Sequence, residues 1–291
     1  MRLRDLPDFF QSTNPEEFMF HYLRSESWDC LKPSALLLNT FDELEQEAID
    51  AIKTKYNYPN DILPVGPLCL MEQKHVPENI ANQFNPSFWK QDPRVFEWLH
   101  FKEADSVLFV NYGCVTVLTE KQFQELAWGI ANSKQPFLWI VRPDVVKDGS
   151  ATLSEEFLEE TKERGFITTW CEQDKVLCHH AIGAFLTHCG WNSMTESVSG
   201  GVPVICFPWF AEQTTNCYYS CNTWGIGMEI DTEVNRDQVS SHIVEMMKGE
   251  KGNEFRRNAK EWKQKAERDT DVGGSSVNNL DKAIEVLLGH N

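Results

Sequence analysis

Long apolar segments are missing from this sequence: no run approaches the roughly 18–20 apolar residues that a membrane-spanning helix needs. Basic residues are scarce, because 27 Lys and Arg stand against 44 Asp and Glu and give a formal net charge of -17. A nucleic acid or an anionic membrane surface requires a basic face on its protein partner. We therefore predict no nucleic-acid partner and no membrane span. The basic N-terminus is followed by no apolar segment, so a secretory signal is not predicted.

Paired cysteine motifs are missing too. The nine cysteines are an odd number and are scattered, which is typical of reduced thiols in a cytoplasmic protein. One group of residues is a candidate for a metal, and it comprises Cys171, Cys178, His179, His180, His188 and Cys189. No CxxC pair is present, however, and Cys217 and Cys221 lie one helical turn apart rather than in a zinc knuckle. We therefore predict no metal site.

A chain of 291 residues, 41% hydrophobic and 24% charged, is long enough for one large or two ordinary globular domains. Short apolar segments bounded by Gly, Pro or Asn predict buried strands at 107–111, 137–141, 166–169, 184–187, 204–207 and 228–230. Helices are predicted between them at 119–132, 154–164 and 212–223. This alternation predicts an α/β fold with a doubly wound parallel sheet, whose ligands bind beyond the carboxyl ends of the strands.

The ends of the chain differ from this pattern. Residues 1–70 predict a helix at 14–31, a strand at 34–39, a helix at 41–53 and a strand at 63–65, which are too few elements for a stable core. Three prolines at 71–93 predict a linker. Helices are predicted at 253–270 and 276–288, and the second is amphipathic.

Polar residues follow the predicted strands between Trp170 and Gln213. Trp170 can stack on a base, an interaction worth about 1–3 kcal/mol, although a tryptophan in the core is the alternative. At 188–193 a His, an Asn and a Ser stand where a helix begins, and a helix start binds anions. Asn192 and Ser193 could instead be simple helix caps. Glu196 lies one turn after Asn192, about 6 Å along the axis, where its carboxylate can accept from both hydroxyls of a ribose.

In residue order and spacing, the segment 170–213 resembles the signature box of plant family 1 UDP-glycosyltransferases. NTFDELE at 39–45, PVGPL at 64–68 and FLWIVRP at 137–143 also resemble that family. The resemblance implies the GT-B fold, in which an acceptor-binding domain precedes a donor-binding domain. We accordingly predict the tail end of the N-terminal acceptor domain at 1–70, a linker at 71–104 and a UDP-sugar donor domain at 105–265. The helix at 266–291 is predicted to pack back towards the N-terminal part.

The resemblance also implies roles for individual residues. Trp170 stacks on uracil, Gln173 contacts the ribose, and His188, Asn192 and Ser193 bind the diphosphate. The predicted contacts with the sugar are made by Trp191, Glu212 and Gln213. A glutamine at the position of Gln213 is associated in the family with a preference for UDP-glucose as the donor. Thr116 lies in a loop that faces the phosphates, where Cys114 replaces the family's usual serine.

Inverting transfer needs a base that takes the proton of the acceptor hydroxyl. The resemblance implies that this base is a His near the family's N-terminus, after a Gly and oriented by an Asp. The present sequence begins after the positions of both residues, and His21 lies in a helical pattern with no Gly before it. We therefore expect an N-terminally truncated chain without a catalytic base.

Two functions stay open at this point. The first is the donor half of a cytoplasmic, monomeric glucosyltransferase, which moves glucose from UDP-glucose to a hydroxyl of a small plant metabolite without a cofactor or metal. The second is a non-catalytic UDP-sugar-binding remnant or interaction module.

Overall fold

The computed structural model describes residues 1–14, 16–81, 91–147, 152–231 and 233–289. The chain divides into two compact units. The large unit consists of Met1–Pro7 and Ser87–Glu261, and the small unit consists of Asp8–Pro86 and Trp262–Asn291.

The strands of the described residues are β1 Ala35–Leu38, β2 Asp61–Pro64, β3 Val107–Asn111, β4 Phe137–Ile140, β5 Gly165–Thr168, β6 Ile182–Thr187, β7 Val204–Cys206 and β8 Gly227–Glu229. In the large unit six of them form a parallel sheet in the order β5-β4-β3-β6-β7-β8. In the small unit β1 pairs with β2, also in parallel. The prediction of an α/β fold with a parallel sheet is confirmed.

A 3-10 helix covers Leu3–Asp5. The α-helices are α1 Asp8–Gln11, α2 Phe18–Asp29, α3 Asp42–Tyr56, α4 Leu68–His75, α5 Glu78–Ala81, α6 Arg94–His100, α7 Glu120–Asn132, α8 Glu155–Thr161, α9 Gln173–Leu177, α10 Trp191–Gly200, α11 Gln213–Asn222, α12 Arg236–Lys248, α13 Glu250–Asp269 and α14 Ser275–Leu288.

Strands β3 and β6 lie at the centre of the large sheet and are buried along their whole length. Successive side chains of a strand point to opposite faces of the sheet. Leu108 and Val110 join the core cluster that also contains Phe123 of α7, whereas the ring of Phe109 stacks on Phe185 with centroids 4.9 Å apart. Because both faces are covered, these strands are continuous apolar segments rather than alternating ones.

The order of the strands reverses beside β3. From β3 the chain proceeds outward through β4 and β5, then returns to the other side of β3 with β6 and continues to β7 and β8. Pairing of Asn111 with Thr187 brings the carboxyl ends of β3 and β6 to the same edge. Open α/β sheets bind their ligands outside such a reversal point.

Helix α7 begins with the predicted capping box. The Thr119 hydroxyl accepts from the backbone N–H of Gln122 at 3.2 Å, and the Gln122 Oε1 accepts from the backbone N–H of Thr119 at 3.0 Å. Beyond the cap, Glu125 of α7 binds the guanidinium of Arg236 in α12, with Oε1 2.6 Å from one terminal nitrogen. No helix is predicted from the sequence over Arg236–Lys248, although the apolar spacing of α12 is typical of one.

Helices α4 and α5 form in the first part of the segment predicted as a linker at 71–93, and its role as a linker stays a prediction. Helix α4 is stabilised because Leu70 and Met71 are buried, at 5% and 6% exposure. Residues 82–90 of the predicted linker lie outside the described residues. The domain boundaries at 70, 104 and 265 stay predictions, and the compact units divide the chain at other positions.

The small unit has a modest core. Ile49, Tyr58 and Ile62 form one buried cluster. A second cluster joins β2 to α14, where the Ser276 hydroxyl also donates to the carbonyl of Gly66 at 2.7 Å. Since a two-stranded sheet offers little area for packing, large apolar side chains of this unit stay exposed, such as Phe18 at 73%.

The helices of the described residues are each too short or too polar to cross a bilayer.

Thr119→Ala should lower the free energy of unfolding by about 1 kcal/mol, because α7 loses its N-cap hydrogen bond. Urea unfolding followed by tryptophan fluorescence measures this change. Thr119→Ser is the matched control, since its hydroxyl can form the same bond, and it should unfold close to the parent. Equal stability of the alanine and serine variants would show that the cap contributes nothing to stability.

Candidate functional site

One strand and two helices meet at the carboxyl edge of the sheet through one amide side chain, that of Gln173. Its Oε1 accepts from the Nδ2 of Asn111 at 2.6 Å. Its Nε2 donates to the Ser193 Oγ at 2.8 Å and to the Glu196 Oε2 at 2.7 Å. Asn111 ends β3, Gln173 begins α9 after β5, and the other two residues belong to α10 after β6. The Gln173 network therefore fixes residues from three separate strand ends in one place.

Within this network the pKa of the Glu196 carboxyl group is raised. Burial raises its pKa to about 7, the hydrogen bond from Gln173 opposes that shift, and the charge of Asp174 adds to it. A carboxylate at this position is short of hydrogen-bond donors relative to water. The negative form therefore gains from any ligand that brings hydroxyl donors to it.

Helix α10 has no side-chain cap. Its N-cap residue is Gly190, with φ -61° and ψ 145°, and this residue has no side chain to accept from the first turn. The alternative that Asn192 and Ser193 are simple caps is therefore wrong: Asn192 is exposed, and Ser193 binds Gln173. Because the first N–H groups of a helix have no partner within the helix, they carry partial positive charge and attract anions.

The His188 ring lies between two glycines at this helix start. A Cβ atom on Gly113 would lie 2.6 Å from His188 Nε2, and one on Gly190 would lie 2.5 Å from it, so only glycine fits at both positions. The Nδ1 of His188 is buried and has no hydrogen-bond partner among the described residues. Burial lowers the pKa of His188 to about 4, and the charge of Arg142 adds to this effect. The imidazole is thus neutral at pH 7 and contributes an N–H donor rather than a cation.

Sequence reasoning missed two residues of this site. Asn111 is the hydrogen-bond partner of Gln173, and Arg142 is a guanidinium that is only 2% exposed. Arg142 donates from a terminal nitrogen to the carbonyl of Thr116 at 2.9 Å, and its Nε lies 3.5 Å from a carboxylate oxygen of Asp144. The available signal was a charged residue directly after the predicted apolar strand at 137–141, because a buried cation requires partners.

Thr116 is held by this arginine on the loop that follows β3. Its side chain is 1% exposed, and its hydroxyl has no hydrogen-bond partner among the described residues. Cys114 of the same loop is exposed. A contact of Thr116 with a ligand stays a prediction.

Trp170 and Trp191 are both half-buried, unlike the core residue Trp139, which is 1% exposed. Trp170 lies between β5 and α9, three residues before Gln173. Trp191 is the first residue of α10, and its ring centroid is 6.3 Å from that of Trp224. Partial exposure leaves both rings with surface for a ligand, as the predicted roles require.

Gln213 organises the loop that precedes α11. Its Oε1 accepts from the backbone N–H groups of Trp209 at 2.9 Å and Phe210 at 3.3 Å, and the residue is 3% exposed. Its carbonyl oxygen is therefore committed to the loop, and the NH2 group is the part that can serve a ligand. Glu212, directly before it, is exposed. The contacts of both residues with a sugar stay predictions.

A family model described as UDP-glucoronosyl and UDP-glucosyl transferase matches residues 16–259 of the chain. Linamarin synthase 1 from Manihot esculenta is 53% identical over 289 residues, which are 99% of this chain and 59% of that protein. A 7-deoxyloganetin glucosyltransferase from Catharanthus roseus is 51% identical over 288 residues, covering 99% of this chain and 58% of that protein. The chain thus spans about three-fifths of the length of the curated relatives it matches.

Solved structures show the same likeness. Os79 from O. sativa in complex with UDP matches with a TM-score of 0.83 and 31% identity, over 97% of this chain and 62% of that one. Phytolacca americana UGT2, complexed with UDP-2fluoro-glucose and pterostilbene, matches with a TM-score of 0.82 and 30% identity, over 97% of this chain and 60% of that one. The fold is therefore of the GT-B type, as the sequence predicted.

The raised pKa of Glu196 has a consequence for stability. Its folded-state value of about 7 exceeds the ordinary value of 4.5, so the folded protein holds a proton that the unfolded chain has lost between these pH values. The contribution of this group is fully present below about pH 4.5 and is lost as the pH rises through about 7.

Glu196→Gln should therefore remove a pH-dependent loss of stability. Between about pH 5 and pH 8 the parent should lose up to about 3 kcal/mol relative to the variant. Thermal unfolding across this pH range measures the difference. Glu212→Gln is the control, because an exposed carboxylate should leave the profile unchanged. Parallel profiles for the parent and Glu196→Gln would contradict the assigned burial.

Proposed function

Because this chain belongs to the plant family 1 UDP-glycosyltransferases, we propose that its large unit binds the UDP part of a UDP-glucose donor outside the carboxyl ends of β3, β5 and β6. The Gln173 network is the observation that carries the proposal, because it holds a hydroxyl, an amide and a carboxylate beside an uncapped helix start. A nucleoside diphosphate has a vicinal diol next to an anion. The carboxylate complements the diol, and the uncapped helix start complements the anion.

Glu196 is the group that binds the ribose in this proposal. The two hydroxyls of a ribose can both donate to one carboxylate, and charge-assisted bonds of this kind are about twice as strong as neutral ones. Binding favours the ionised form and so lowers the raised pKa of the free protein. Gln173 orients the carboxylate from its Nε2 and thereby sets the position of the ribose.

The diphosphate is proposed to lie at the start of α10. The N–H groups of the first turn, the neutral imidazole of His188 and the side chains of Asn192 and Ser193 supply donors. Thr116 adds a hydroxyl from the loop after β3. The helix dipole and these donors stabilise negative charge without a metal ion, so no cofactor is proposed for the transfer.

The remaining parts of the donor are assigned to aromatic and polar residues. Trp170 stacks on the uracil, and its position after β5, three residues before Gln173, supports this assignment. Trp191, Glu212 and Gln213 contact the glucose, for which the NH2 group of Gln213 is one donor, since its Oε1 is bound to the loop.

For the whole protein we propose inverting transfer of glucose to a hydroxyl of a small plant metabolite. The relatives include a linamarin synthase and a 7-deoxyloganetin glucosyltransferase, which supports acceptors of this class. The acceptor hydroxyl attacks the anomeric carbon, its proton passes to a base, and UDP departs with the bonding electrons. The donors at the start of α10 stabilise the negative charge that develops on UDP. Free thiols and the acidic composition support a monomer in the cytoplasm.

His188 is unsuited to serve as this base. Its pKa of about 4 makes it a weak proton acceptor, and the proposal already uses it as a donor to the diphosphate. We therefore propose that these 291 residues bind the donor but do not transfer glucose by themselves. A non-catalytic UDP-sugar-binding role is the second candidate, and the same weak basicity of His188 favours it.

Glu196→Ala should weaken UDP binding by about 2–3 kcal/mol, because a charged acceptor for the ribose hydroxyls is removed. Binding of inorganic diphosphate, which has no ribose, should change much less. Isothermal titration calorimetry with both ligands measures the two affinities. Glu163→Ala, an exposed carboxylate outside the site, is the control and should bind UDP like the parent. Equal losses for UDP and diphosphate would mean that Glu196 only supports the fold.

The 291-residue chain should show no measurable transfer from UDP-glucose to phenolic or terpenoid alcohols. Loss of a general base alone costs about 10²–10⁴-fold in rate, and loss of acceptor positioning costs more. Product formation is measured by chromatography at saturating UDP-glucose. A fusion that places the N-terminal part of a related glucosyltransferase ahead of Met1 should be active, and Glu196→Ala within the fusion should impair it. Robust turnover by the unfused chain would overturn this proposal.

A further inference from the structure

Three buried thiols converge at a point outside the proposed donor contacts. Cys189 follows β6, Cys206 ends β7, and Cys217 lies in α11. Their sulfur atoms all lie within 4.8 Å of one another. The side chains are 0%, 0% and 3% exposed, and all three cysteines are reduced. Three separate elements thus direct their sulfurs to one place, which we call the thiol cluster.

A fourth sulfur lies beside the thiol cluster. Cys221 follows Cys217 by one helical turn on α11 and lies close enough to interact with Cys206 and Cys217. The group therefore offers three sulfurs within a common sphere and one more at its edge. Cys, as a soft thiolate ligand, selects Zn²⁺ and other thiophilic cations.

The distances between the sulfur atoms of the thiol cluster are close to those of a metal site. Zinc binds sulfur at about 2.3 Å in a tetrahedral arrangement, which sets neighbouring sulfurs about 3.8 Å apart. Because all three sulfurs lie within 4.8 Å of one another, each pair needs to approach by at most about 1 Å to reach this spacing. Free cysteines also fill cores as small apolar residues, but packing does not require three sulfurs to share one centre.

A buried group of thiolate ligands requires a cation, because an isolated negative charge in a core is costly and a cation that neutralises it is stabilising.

We propose that Cys189, Cys206 and Cys217 form a structural site for one Zn²⁺ ion, with Cys221 as its fourth ligand or the neighbour of that ligand. Each coordinating thiol gives its proton to solvent, so three protons leave when three zinc–sulfur bonds form. No electron is transferred, and the cysteines remain reduced. The site ties the loop after β6 to β7 and α11. It is separate from glucose transfer, for which the absence of a metal stays a prediction.

The test uses the full 291-residue chain, reduced and freed of metal by a chelator. Titration with Zn²⁺ against a chromophoric competitor gives stoichiometry and affinity, and titration with Cd²⁺ gives the ultraviolet charge-transfer absorption of metal–thiolate bonds. We expect one equivalent of either ion, thiolate absorption with Cd²⁺, and a higher midpoint of thermal unfolding. Absence of binding, or binding without thiolate absorption, would overturn the proposal.

Matched variants locate the site. Cys206→Ser and Cys217→Ser should each lower the affinity for the ion by at least about 100-fold. This is more than the loss of a hydrogen-bond partner of a metal ligand usually costs. Cys178→Ser removes an exposed thiol outside the cluster and should bind like the parent. If the cluster variants fail to fold, cadmium absorption in the triple variant Cys30→Ser/Cys114→Ser/Cys178→Ser, which lacks the exposed thiols of the described residues, decides the question. Unchanged absorption there supports the buried cluster, and lost absorption assigns the ion to exposed thiols.

Discussion

The parallel pairing of β3 with β6 is the constraint on which the site depends. The register that sets Asn111 opposite Thr187 brings two loops, far apart in sequence, to the same edge of the sheet. Gly113 of the first loop and Gly190 of the second then enclose the His188 ring, and any Cβ atom at either glycine would displace it. A shift of one residue in this register would move the side chains of β6 to the opposite face and separate these groups.

Burial at this edge acts on acids and bases in opposite directions, and both effects suit a nucleotide. It raises the pKa of Glu196 to about 7 and lowers that of His188 to about 4. At pH 7 His188 is therefore neutral, and Glu196 is about half protonated before a ligand binds. Neutral groups, such as the Gln173 amide and the first N–H groups of α10, provide the geometry at little desolvation cost. In the proposed function, a nucleoside diphosphate would meet donors for its phosphates and an acceptor for its ribose already in position.

One short loop serves two different chemistries. Cys189 has a φ of 66°, in the left-handed region, between the strand β6 and the first residues of α10. The His188 ring contacts the glycines of the proposed donor site, whereas the Cys189 sulfur meets those of Cys206 and Cys217. Asn216 of α11 donates to the Cys189 carbonyl at 2.9 Å and so fixes this turn. Binding of an ion to the thiol cluster would hold the same loop from its other side.

The sequence by itself determined the elements whose signals are local. Alternation of apolar segments and amphipathic helices predicted six strands of the large sheet to within two residues at either end, and the Thr119 capping box predicted the start of α7. The motif residues between Trp170 and Gln213 predicted the family. Tertiary structure alone decided which residues meet. Asn111 and Gln173 are separated by 62 positions, and the cysteines of the thiol cluster come from three elements, so no spacing along the chain predicts either contact. The shifted pKa values also required the fold, because burial is produced by residues distant in sequence.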